Sequence, residues 1–221
     1  MASKKVRDSK RLLLTAYKDA VKGGGFAWVV KYLDDLIKYK VDFNLRADES
    51  LRARHNPGMN IMEWFSQQRL HEELFKIIKT GPRLDEFTPS GRTLLSANSH
   101  NEPTVVRALL EAGANPNLHD RHGCLPLGCS VISAYQFGSG AEECARLLLA
   151  HGADPDLLGD GNPLFIDPVS SLDMALVAAN SGGARSLAAI VGMLKAKHEE
   201  NALIAEPMTA KAPSVKRKPG I

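Results

Sequence analysis

The densest cluster of chemistry-bearing side chains is His119-Asp120-Arg121-His122-Gly123-Cys124, with Cys129 close behind. Two imidazoles and two thiols are donor types that tetrahedral zinc takes. The surrounding pattern argues against convergence, because His119, Asp120 and His122 fall on a polar turn tip while Cys129 falls within a helix that packs inward. No metal is expected there. A catalytic thiol needs a lowered pKa and a base within hydrogen-bond reach. Cys144 instead replaces a core valine and Cys129 lies on a packing helix, so buried structural thiols are the expectation. Gly23-Gly24-Gly25 lacks the Lys-Ser/Thr of a phosphate loop and follows no strand, so it reads as a connection between helices. His-Glu-x-x-His, Gly-x-Ser-x-Gly and Cys-x-x-Cys patterns are absent from the sequence. These residues predict no enzyme, no cofactor and no small-molecule substrate.

Composition narrows the class further. The chain has 221 residues, 44% hydrophobic and 24% charged, with a formal net charge of +3. That is an ordinary globular balance. Cations are interspersed with Asp and Glu until the last segment, without the basic stripe of a nucleic-acid binder, so no nucleic-acid partner is expected. No run approaches the ~18 to 20 apolar residues of a membrane helix, and nothing behind Met1 forms a signal-peptide core. The three cysteines make no even disulfide framework and read as reduced thiols. A cytoplasmic location is expected, with Lys216-Arg217-Lys218 as a candidate nuclear signal and a secreted effector as the alternative.

The elements that position these residues emerge from an internal repeat. Val105-Val106-Arg107-Ala108-Leu109-Leu110-Glu111-Ala112-Gly113-Ala114-Asn115-Pro116-Asn117 matches Cys144-Ala145-Arg146-Leu147-Leu148-Leu149-Ala150-His151-Gly152-Ala153-Asp154-Pro155-Asp156. Each reads as a short amphipathic helix closed by a left-handed glycine, with proline beyond it preventing continuation. Gly91-Arg92-Thr93-Leu94-Leu95 precedes the first copy and Gly123-Cys124-Leu125-Pro126-Leu127 the second. Weaker copies run from Asn60 to Gly81, from Leu12 to Asn44 and from Ser170 to Leu194. Trp28, Trp64 and Phe65 fall at apolar helical positions and are expected in the core.

The turn glycine, the Pro126-Leu127 pair, the Asp120-x-x-Gly123 tip and the Gly-Ala-Asn/Asp exit resemble the ankyrin-repeat family. The resemblance implies an all-α ankyrin solenoid of about five helix-turn-helix repeats with degenerate ends and long loops. Its expected limits are residues 9–198, divided at about 9–44, 57–87, 88–119, 120–157 and 165–198. Residues 1–8 form an extension and 199–221 a disordered basic tail. Two departures stand out: an insertion at Ala134-Tyr135-Gln136-Phe137-Gly138-Ser139-Gly140 between two helices, and a long connection from Leu157 to Val169. Tyr135 and Phe137 read either as buried by a folded-back loop or as aromatic anchors. The family implies a protein partner gripped by the concave face and loop tips. His119, Arg121, His122, Tyr135, Phe137, Leu157, Leu158 and Asp160 are the candidate contacts. The partner-binding role covers an adaptor, inhibitor or effector; the alternative is a structural subunit of a permanent assembly.

Overall fold

The two matching helices end as their glycines require. Gly113 and Gly152 adopt φ of 92° and 87°, which a residue without Cβ takes at little steric cost. Beyond them, the Ala114 N–H donates to the Leu109 carbonyl (3.0 Å) and the Ala153 N–H to that of Leu148 (2.9 Å). The divergent first repeat reaches the same end without a glycine. There Lys40 takes φ 54°, and the Val41 N–H donates to the Leu36 carbonyl at 3.3 Å.

The computed structural model describes residues 4–22, 25–47, 58–136, 140–159, 168–180 and 185–205. Among them are ten α-helices in five consecutive pairs. The pairs are α1 (Lys4–Lys22) with α2 (Phe26–Lys38), α3 (Ile61–Gln67) with α4 (His71–Ile78), and α5 (Leu94–Asn98) with α6 (Pro103–Glu111). Next come α7 (Pro126–Gln136) with α8 (Ala141–Ala150), and α9 (Ser171–Asn180) with α10 (Arg185–Ala205). First helices stack in the order α3, α5, α7, α9, and second helices in the order α2, α4, α6, α8, α10. Each pair thus buries its neighbour's apolar face, as a solenoid must. In α6 the buried residues are Val105, Val106, Leu109 and Leu110, and in α8 Cys144, Ala145 and Leu148 take the matching places. Phe65 is fully buried, while Trp28 and Trp64 pack partly exposed against the same core.

Local chemistry starts the first helices. Asn60 and Glu63 form a reciprocal capping box on α3, and Thr93 and Ser96 form one on α5. Ser170 accepts from the Asp173 N–H (3.0 Å) at the head of α9. Proline opens α7, where its missing N–H has no partner to lose.

Three features depart from the sequence expectation. The insertion near residue 134 does not form a loop from its start, because it prolongs α7 to 11 residues against 5 in α5. Tyr135 therefore stands on the last turn of a helix. The Leu157–Val169 connection is closed at its base by two short antiparallel strands, β1 (Leu158–Gly159) and β2 (Val169–Ser170). Finally, α10 runs to Ala205, past the boundary expected at residue 198. No glycine or proline interrupts residues 193–205, and a Lys197–Glu200 pair (3.0 Å) lies along the helix. No helix among the described residues is long and apolar enough to cross a membrane.

Candidate functional site

Turns between the pairs are bound to one another in a fixed register. Asp42, Asn115 and Asp154 each fold back to accept the N–H two residues on, from Asn44, Asn117 and Asp156, at 2.9, 2.9 and 3.0 Å. Asn44, Asp85 and Asn117 then reach the next repeat. Asn44 accepts from the Arg83 N–H (3.0 Å), Asp85 from the Asn115 N–H (3.0 Å) and Asn117 from the Asp154 N–H (2.8 Å). At the C-terminal end His198 meets Asp156 at 2.7 Å.

Beyond this ladder lie the loop tips, residues 84–90 and 115–122, with strand β1 after them. Asp120 is buried and shapes the middle tip, its Oδ1 accepting the N–H groups of His122 and Cys124, both at 2.9 Å. The tip then leans on its neighbours. The Arg121 guanidinium sits 5.3 Å from the Phe87 ring centre, and the His122 Nε2 lies 2.6 Å from the Ser90 carbonyl oxygen. On the other side the His119 Nε2 is 2.7 Å from the Leu158 carbonyl oxygen. Both imidazoles thus meet a backbone carbonyl of an adjacent tip. Among the described residues, no group of three or more His, Cys, Asp or Glu is arranged to hold a metal ion.

A second brace comes from Arg46. Its guanidinium donates to the carbonyls of Gly58 (3.0 Å) and Phe87 (2.5 Å), to Glu63 Oε1 (3.2 Å) and to Glu86 Oε2 (3.5 Å). Burial pushes the Glu63 carboxyl up from 4.5 to about 7, against the pull of Arg46 and of the Asn60 N–H. Arg46 and Glu63 were not among the sequence-derived candidates. The Asn60-x-x-Glu63 spacing does signal a capping box, but nothing local in the sequence signals that Arg46 reaches it.

The candidate contact residues separate into two groups. His119, Arg121, His122, Leu157 and Leu158 lie at the tips, where the Leu158 side chain is 54% exposed and Leu157 half-buried. Tyr135, 42% exposed, lies nine residues along α7 from Pro126, about 14 Å at 1.5 Å per residue. Tyr135 and the tips thus lie at opposite ends of α7. Phe137 and Asp160 lie outside the described residues.

No family model matches the chain. Cyclin-dependent kinase 4 inhibitor B of Mus musculus is 38% identical over 63 residues, 28% of this chain and 43% of that protein. Cyclin-dependent kinase inhibitor 2A of Homo sapiens is 38% identical over 68 residues, 31% of this chain and 39% of that protein. The chain spans less than half the length of these curated relatives. An ankyrin repeat domain from Acinetobacter baumannii superposes with a TM-score of 0.58 at 21% identity, over 75% of this chain and 74% of that one. The fold is that of an ankyrin repeat domain. The shared ankyrin fold accounts for the paired helices, the left-handed glycines and the bonded tips together.

Proposed function

We propose that this ankyrin stack is a non-catalytic binding module that grips a protein partner along its loop tips, as an adaptor, inhibitor or effector. The observation that carries the reading is the bracing of successive tips. Arg121, His122, His119 and Arg46 tie each tip to the next, so the ridge is formed before a partner arrives. Such preorganisation lowers the ordering cost of association. Exposed Leu158, rimmed by polar tips, supplies an apolar contact of the sort found near the centre of interfaces. The relatives add support, since their names describe inhibitors of a cyclin-dependent kinase, itself a protein.

The reading is tested by comparing Arg121→Ala/Leu158→Ser with the parent chain in affinity capture from the native cell, followed by titration of the partner recovered. Both side chains are exposed, so the fold is expected to persist, which circular dichroism checks. Loss of two interface anchors at about 1–2 kcal/mol each predicts roughly a 30-fold or larger weakening. Unchanged affinity would place the binding face elsewhere.

A further inference from the structure

Cys124 and Cys129 occupy two positions that helix geometry brings together. With α7 opening at Pro126, Leu125 is the capping residue, and its carbonyl accepts the first helical bond from the Cys129 N–H (2.9 Å). Cys124 therefore stands just before the cap and Cys129 at the fourth helical position. Side chains at this pair of positions pack across the helix start as a staple. Here the staple is made of two thiols, whose sulfurs are 3.4 Å apart.

The surroundings differentiate the two sulfurs. Cys129 is 1% exposed and Cys124 partly exposed, and both are free thiols. The hydrogen bond from Cys129 draws the Cys124 thiol below its ordinary pKa, against burial and the nearby Asp120 carboxylate. The same bond and burial push Cys129 up. Cys144, elsewhere in the core, is held up to about 12 by burial. Beside the pair lies a cavity of about 10 Å³ lined by Gly123, Cys124, Gly128, Gly159 and Met174 among others. A Cβ on Gly128 would stand 3.8 Å from the Cys124 sulfur, so glycine there leaves room on that side.

We propose that Cys124 and Cys129 form a reversible dithiol–disulfide site, oxidised by a low-molecular-weight disulfide such as glutathione disulfide. The Cys124 thiolate attacks one sulfur of the oxidant, forming a mixed disulfide and releasing one thiolate. Cys129 then loses its proton and its sulfur attacks the Cys124 sulfur, forming the internal bond and releasing the second thiolate. Two protein thiols give up two electrons and two protons, and the oxidant becomes two thiols. Capping Cys124 in the first step also removes the acceptor that holds the Cys129 proton. The sulfurs must close from 3.4 Å to about 2.0 Å. Closure fastens the base of the middle tip to α7, because the Cys124 N–H and carbonyl bond Asp120 at 2.9 and 3.0 Å. The site concerns thiol chemistry alone and stands apart from the partner-binding reading.

The test uses the reduced full chain, equilibrated with stepped ratios of glutathione to glutathione disulfide, with and without urea. Acid quench, alkylation, intact mass and peptide mapping follow. Native chain is expected to lose two thiols together, yield a linked 124–129 peptide and leave Cys144 alkylated. In the native chain the bond is expected to persist at a ratio at least about ten-fold more reducing than in urea, since the staple raises the effective concentration of one thiol for the other. In Cys129→Ser, glutathione is expected to remain on Cys124. A wild-type chain that keeps glutathione on Cys124, bonds Cys144, stays unmodified, or links no more readily than in urea overturns the proposal. The wild-type readouts decide the matter even if the variant fails to fold.

Discussion

Glu63 carries the most strongly perturbed carboxylate in the tip network. Its Oε2 accepts the Asn60 N–H at 3.2 Å and its Oε1 faces Arg46 at 3.2 Å, yet burial still dominates and lifts it from 4.5 to about 7. A carboxyl raised on folding binds its proton more tightly in the native chain. Its contribution to stability is therefore fully present below about pH 4.5 and is lost as pH rises through 7. The expected outcome is a stability difference between wild type and Glu63→Gln that shifts against wild type by on the order of 3 kcal/mol from pH 5 to pH 8. Urea titrations of both proteins at stepped pH measure it; a difference that does not change with pH would show that Arg46 cancels burial, and one that shifts towards wild type as pH rises would show that Arg46 outweighs it. Half of this arrangement was readable in advance. The capping spacing lies within four residues, whereas the Arg46 contact depends on a long connection and on the stacking of a later repeat, neither of which the local pattern encodes. The tip histidines show the reverse limit: their types suggested ligands or contacts, but only stacking reveals that each meets a neighbouring tip's carbonyl.

At the scale of elements, the ends and joints of helices hold the testable differences. Lys40 does the work of Gly113 and Gly152 in the left-handed region, with φ 54°. Removing its Cβ is expected to relieve strain, so Lys40→Gly raises stability by up to about 1 kcal/mol after the entropy of the unfolded glycine is counted. A lower midpoint in denaturant would show that the lysine stem contributes packing instead. Gly140 poses the opposite case. It takes φ 73°, and a Cβ there would approach the Asn101 carbonyl oxygen to 2.8 Å. Gly140→Ala is expected to cost about 1–3 kcal/mol, combining backbone strain with a clash against a neighbouring connection. Thermal unfolding checks this, and a variant as stable as the parent would mean that the connection yields freely. The helix-closing glycines were visible in the sequence because each sits at the end of a 3.6-residue apolar period. The lengthening of α7 was not, since Ala134, Tyr135 and Gln136 continue a helix without violating any loop preference. The β1–β2 closure was equally hidden, as two-residue strands carry no periodic signal.

At the scale of the whole molecule, stability and the proposed binding surface derive from the same repetition. Among the described residues, the main helix–helix contacts run within a pair or to an adjacent pair, so the core is a chain of similar interfaces and the tips align as its consequence. The repeat signal was strong enough to give the architecture, because Val105–Asn117 and Cys144–Asp156 bury matching residues at three positions (Val105/Cys144, Val106/Ala145, Leu109/Leu148) and share the same exit turn. The partner's identity has no such signal, since a fold reused for many targets carries specificity in its departures from pattern. Among the described residues of those departures, Leu158 at the tips and Tyr135 at the far end of α7 are large apolar side chains that stand exposed. They lie too far apart to serve one small contact, which makes them discriminating probes. The most direct measurement is capture of the cellular partner by three chains: the parent, Arg121→Ala/Leu158→Ser and Tyr135→Ala. Tip-centred binding predicts that the double variant loses the partner while Tyr135→Ala retains most of it. Full recovery by the double variant, with the fold intact, would contradict binding through the tips.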